Sequence, residues 1–366
     1  TKYRNKIVKE VEEGKRGSGY RAIRKLGDRP NEGGQGEPIL PAYVEQRLSA
    51  QEAADKLADH FSAISQSVEK LDHSKFHPAL RLAVEKGKVS RNKPVLTQHQ
   101  VYRKMQRVTK PKSSVAGDIP MKVMKEYIYE YAEPATKIFN NIIQSSEWPR
   151  QWVVEQTVVL SKTKTTLPKD ENDLRTISKT QWLSKVLENI IGDYILPVID
   201  QYIDPGQCGG LKNTSISHYL VKVLDFIQCT LDKSTPHCVV LSSQDLSKAY
   251  NRGSHSLVIE DLHSMHVPFW VLSLICSYLT DRSMVLSYQK ARSSRRTLPG
   301  GFGAGTFLGG LLFIVKFNGV CLRPPVPRPI SGNRAMQVKF VDDSSTVASF
   351  NLKTSLTEDH VTRPKP

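Results

Sequence analysis

Cysteine is scarce in this chain and nowhere paired. Its five cysteines, Cys208, Cys229, Cys238, Cys276 and Cys321, are scattered, with no C-x-x-C pair and no histidine at finger spacing. That pattern argues against a structural zinc, and a disulfide framework would be out of place in so long a chain. The expected setting is reducing and intracellular, cytoplasm and/or nucleus. No apolar run approaches bilayer-spanning length, so a membrane is not among the expected partners. The opening Thr1-Lys2-Tyr3-Arg4-Asn5-Lys6 lacks both an apolar signal core and an initiator Met, so a piece of a longer reading frame is expected. Acidic residues are outnumbered, 36 Asp plus Glu against 52 Lys plus Arg, for a net charge of +16. That balance favours a polyanionic partner, nucleic acid before membrane.

Two short stretches carry the chemistry. Residues 338–350 read Val-Lys-Phe-Val-Asp-Asp-Ser-Ser-Thr-Val-Ala-Ser-Phe, two β-prone runs around a turn-type Asp-Asp-Ser-Ser cluster, which predicts a hairpin. Adjacent carboxylates at its tip, Asp342 and Asp343, are tolerated when water solvates them or a cation sits between them. Upstream, the apolar run from Cys238 to Leu241 has the character of a buried strand that ends at Asp245, and Ser247 is placed to open a helix. An Asp at a strand end beside an Asp pair on a hairpin presents hard oxygen ligands suited to Mg²⁺. Two-metal phosphoryl and nucleotidyl transfer needs carboxylates that converge in this way.

Asp245-Leu246-Ser247-Lys248-Ala249-Tyr250-Asn251-Arg252 resembles the first palm motif of reverse transcriptases, and Phe340-Val341-Asp342-Asp343 resembles their aromatic-X-Asp-Asp motif. The wording is nearest to the non-LTR (LINE-like) retrotransposon polymerases. Asp118-Ile119-Pro120 and Asp173-Leu174-Arg175-Thr176-Ile177-Ser178 are similar to finger elements of that family, with Leu174 and Thr176 departing from it. Residues 299–313 hold six glycines and resemble its Pro-Gln-Gly motif. A dinucleotide fingerprint is not met there, since Thr306 takes the third glycine's place and no Walker lysine follows.

The resemblance implies an α+β fold: right-hand polymerase fingers and a palm of antiparallel sheet backed by helices, with the thumb absent. It implies RNA-directed DNA synthesis on an RNA template, adding dNTPs to a DNA or RNA primer with Mg²⁺ or Mn²⁺. Asp245, Asp342 and Asp343 become the catalytic and metal-binding acids. Lys162, Arg175, Leu246, Tyr250, Ala304 and Gly305 become the nucleotide-binding set, with Tyr250 under the sugar. One departure stands out: Gly303-Ala304 replaces Pro-Gln, and Ala304 has no side-chain hydrogen bond to offer the nucleotide or template. Impaired activity is expected from it. Two alternatives stay open, an inactive remnant that folds and binds RNA and an RNA-dependent RNA polymerase. The expected organisation is a basic lead-in and linker (1–50), a helical extension (51–112), fingers (113–235), palm (236–355) and a tail (356–366).

Overall fold

The computed structural model describes residues 40–108, 115, 118, 121–162, 168–320 and 334–351. Most of the basic lead-in, Ile119 and Pro120, Cys321 with the Pro- and Arg-rich 321–333 stretch, and the tail lie outside the described residues. The chain divides into one unit of residues 1–47 and 159–175 and another of residues 48–158 and 176–366.

In the smaller unit, helix α1 (Pro41–Glu45) places Tyr43, whose hydroxyl donates to Glu171 Oε1 at 2.8 Å. Glu171 opens a single 3₁₀ turn (Glu171–Asp173), where the Asp170 side chain accepts from the Asn172 N–H at 2.7 Å.

The larger unit begins with α2 (Ala50–Ser65), which starts where a capping box allows: Ser49 and Glu52 satisfy each other's backbone N–H groups. Its buried stripe, Ala54, Leu57, Ala58 and Phe61, follows helical spacing and packs over strand β4 (Ser283–Tyr288). Helix α3 (Pro78–Val89) packs against the almost wholly apolar α10 (Phe269–Leu279). Helix α4 (Gln98–Val108) packs against α6 (Ile128–Ser145) and α7 (Trp182–Ile199). The sequence predicts one helix from about Met121 to Ile143. The chain instead forms α5 (Met121–Glu126) and then α6, with a break at Tyr127.

Strands β1 (Val154–Ser161) and β2 (Leu174–Lys179) stand in a sheet of order β2-β1-β4-β5, with β5 at Ala291–Arg292 and β6 (Arg296–Thr297) also paired to β4. β1 runs parallel to β4, from Val154 opposite Ser283 to Val158 opposite Ser287.

A second, wholly antiparallel sheet has the order β3-β8-β7, made of β3 (His237–Gln244), β8 (Asp343–Asn351) and β7 (Arg334–Phe340). Helix α8 (Ile216–Leu231), at the bounds its periodicity predicts, covers one face of it. Val223 meets Val338 and Val347 there, with Tyr219 and Phe226 alongside. β3 is not the buried strand its composition predicts. It lies at an edge of this sheet, and Val240 and Leu241, which point to opposite faces, are both exposed. The mixture of helices and two sheets is α+β. No helix among the described residues is long and apolar enough to cross a membrane.

Candidate active site

The three acids lie at one end of the antiparallel sheet. β3 and β8 pair up to Gln244 opposite Ser344, so one further step along each strand brings Asp245 abreast of Asp343. Phe340 pairs with Asp343 across β7 and β8, which leaves Val341 and Asp342 as a two-residue turn. The turn therefore sits one residue earlier than Asp-Asp-Ser-Ser suggests. Ser344 and Ser345 belong to β8 and are buried, since β8 is the middle strand. Val341 has φ of 60°, the sign a type II′ hairpin turn needs at its first central residue.

Asp245 and Asp343 are exposed and Asp342 is half-buried. Burial, then the neighbouring Asp343 and Asp245 carboxylates, hold the Asp342 carboxyl above the usual range. Tyr250 faces the same cluster: burial, then the Asp342 charge, raises its hydroxyl. The helix expected from Ser247 does not form there. Lys248 takes a left-handed conformation (φ 57°), a 3₁₀ turn covers Ala249–Arg252, and α9 (His255–Ser264) starts only after the Ser254 cap. That turn sets the Tyr250 ring flat on Phe313, with centroids 4.4 Å apart and planes at 17°. Leu246 is half-buried and packs against the main core.

The glycine-rich loop closes against Tyr250. Phe302 N–H donates to the Tyr250 carbonyl and Gly301 N–H to the Gly253 carbonyl, each at 2.7 Å. On its other side, Ser178 N–H donates to the Ala304 carbonyl at 2.7 Å. Thr176, Ser178, Tyr250, Gly303 and Ala304 thus line one cleft, and a Cβ on Gly305 (φ 101°) would stand 3.1 Å from Ile177 and 3.3 Å from the Ser178 carbonyl. The glycines approach the protein's own backbone and buried charges. A Cβ on Gly303 would lie 2.8 Å from the Glu155 carboxylate. Thr306 then caps α11 (Phe307–Asn318) by accepting from Gly309 N–H at 3.0 Å.

Lys162 and Arg175 lie in the smaller unit, both exposed. Lys162 N–H donates to the Asp173 carbonyl at 2.8 Å, two residues before Arg175.

A buried charge network beneath the loop was not visible as chemistry in the sequence. Glu155 pairs with Arg282 and also accepts from the Ser178 hydroxyl. Glu188, fully buried, accepts from Leu308 N–H at 3.2 Å, and burial pushes its carboxyl up. The signal available was alternation along β1, which puts Glu155 on the same inward face as Thr157 and Val159 and so demands a partner.

Among the described residues, no three His, Cys, Asp or Glu side chains converge closely enough to hold a metal ion between them. Mg²⁺ does not need such a cage, because it binds through one or two carboxylates together with water and substrate phosphates. Hard oxygen donors abreast at an open strand end fit that requirement.

No protein-family model matches the sequence. The chain is similar to a protein of Drosophila melanogaster described as a probable RNA-directed DNA polymerase from transposon BS, with 24% identity over 220 residues. The match takes in 58% of this chain and 23% of that protein, so the chain spans about a quarter of the relative's length.

Proposed function

We propose that the chain is the fingers and palm of a LINE-like reverse transcriptase, an RNA-directed DNA polymerase that adds dNTPs to a primer 3′-hydroxyl. The observation that carries this reading is the β3–β8 register, which ends at Gln244 opposite Ser344, one residue short of Asp245 on one strand and of Asp343 on the other, with Asp342 in the adjoining turn. Similarity to a transposon polymerase and the net charge of +16 support it.

Asp245 and Asp342, with Asp343, would hold Mg²⁺; when bound, the ion supplies a lowered pKa at the primer hydroxyl and charge neutralisation at the departing pyrophosphate. Tyr250, backed by Phe313, forms a flat floor for the sugar of the incoming nucleotide. The loop at Ala304 and Gly305 is tied to β2 and offers backbone rather than a side-chain amide. Arg175 and Lys162 are the cations that the resemblance assigns to the triphosphate, and an Arg fork grips phosphate oxygens bidentately. RNA template and primer are the partners this chemistry needs.

A second reading, a folded relative that binds RNA without catalysis, is favoured by Ala304 alone. Primer extension on an RNA template with Mg²⁺ or Mn²⁺ separates them. dNTP incorporation by the natural chain and none by Asp342→Ala supports the polymerase. No extension by either, with duplex binding retained, supports the inactive relative, and a preference for ribonucleotides points to an RNA-dependent RNA polymerase.

A further inference from the structure

The turn that carries Asp342 is gripped from outside by residues 204–210. Asp204 Oδ1 accepts from Gly206 N–H at 2.7 Å, turning the chain toward β7. Lys339 N–H then donates to the Gly206 carbonyl at 2.9 Å, and Cys208 N–H to the Lys339 carbonyl at 2.7 Å. Gln207 thereby lies as a parallel bridge beside Lys339. The register is locked by the buried Lys339 ammonium, which donates to the Asn318 carbonyl and pairs with Asp204, each at 2.9 Å.

From this anchorage the Gln207 side chain, only 4% exposed, reaches the turn. Its Oε1 accepts from two backbone groups, Gly209 N–H at 3.1 Å and Val341 N–H at 3.2 Å. Its Nε2 is buried with no hydrogen-bond partner. The oxygen is thus the atom in use, and two N–H donors fix which way the amide faces. Gly209 permits the approach, since a Cβ there would stand 2.6 Å from the Val341 nitrogen. Val341 needs such a hold, because a β-branched residue at φ 60° is disfavoured.

We infer that Gln207 is the positioning residue of the acid-bearing turn. Its carboxamide oxygen holds the Val341 peptide in the left-handed conformation and so fixes the direction in which Asp342 presents its carboxylate. The consequence for metal binding rests on the polymerase reading of the acids; the grip on the turn does not.

The test is a double-mutant cycle in the full chain. Gln207→Met removes the acceptor at nearly constant length, and Val341→Gly removes the conformational need for it. The probes are Mn²⁺ affinity and hydrogen exchange at the residue-341 amide. Gln207→Met should weaken Mn²⁺ binding and speed that exchange, each by about tenfold, one hydrogen bond's worth. In the Val341→Gly background the loss of Mn²⁺ affinity should shrink to about threefold or less. Equal losses in both backgrounds, or exchange unchanged by Gln207→Met, overturn the inference. Should Gln207→Met not fold, Gly209→Ala displaces the same amide while leaving the glutamine in place, and the same losses are expected. If Asp342→Ala binds Mn²⁺ as well as the natural chain, the polymerase reading fails, and the exchange measurement alone decides whether Gln207 holds the turn.

Discussion

Ser178 donates its backbone N–H to the carbonyl of Ala304 at 2.7 Å, fastening the glycine-rich loop to β2. Residue 304 therefore projects from a held backbone into the cleft it shares with Tyr250. Ala304→Gln should raise nucleotide incorporation about tenfold, the effect of one transition-state hydrogen bond of about 1.4 kcal/mol. Primer extension on an RNA template measures it, with Asp342→Ala in the same background as control. Phe302 and Gly303 also depart from the family phrase, so an unchanged rate would mean only that this loop does not present the new side chain to the nucleotide.

Tyr250 is clamped between Phe313 below and the Phe302 backbone beside it. As a rigid floor under the sugar it should exclude a 2′-hydroxyl by steric contact. Tyr250→Val should then increase ribonucleotide use relative to dNTPs by about tenfold or more, within the range of pocket-shape discrimination. Competition between paired nucleotides reads this ratio directly. Equal loss of both substrates would instead assign Tyr250 to packing.

The acid cluster was legible because its signals are local: strand, then Asp, and strand, Asp pair, strand. Helix α8 was legible for the same reason, since its apolar positions keep helical spacing over its whole length. The exact turn was not, because Ser344 and Ser345 are turn-type residues that pairing on both sides of β8 draws into the sheet. The run Val239-Val240-Leu241 reads as buried on both faces, yet β3 is an edge strand and Val240 and Leu241, on opposite faces, are both exposed. Gln207 stands in a segment similar to the family's Gln-aromatic-Gly, but its hold on the turn, like the pairing of Arg282, was not legible because the partners are far along the chain. Val341 lies 134 residues from Gln207, and Glu155 lies 127 from Arg282.

Arg282 and Glu155 are both almost wholly buried and support the loop from below. Arg282→Met would strand the Glu155 charge and should cost about 3–5 kcal/mol of stability. Adding Glu155→Gln should recover at least about half of that loss, because the charge to be compensated is gone. Urea unfolding of the single and double variants checks it. Additive losses would mean that the pair contributes through shape rather than charge.

His255 gives the pH dependence. It is the first residue of α9, almost fully buried, and its Nε2–H donates to the Gly301 carbonyl at 2.8 Å. Burial pushes its pKa down, from 6.5 to about 4. The unfolded chain therefore takes up a proton at this site at higher pH than the folded one. The stability held by neutral His255 is complete above pH 6.5 and declines as pH falls toward about 4, where the folded form is also protonated. The loss amounts to roughly 3 kcal/mol, from about 2.5 pH units at 1.36 kcal/mol each. His255→Gln keeps a donor for Gly301 but cannot titrate, so it should flatten this part of the profile even if it lowers stability at neutral pH. Urea midpoints at half-unit intervals from pH 7 to 4 provide the comparison. An equal slope in natural chain and variant would place the acid sensitivity elsewhere.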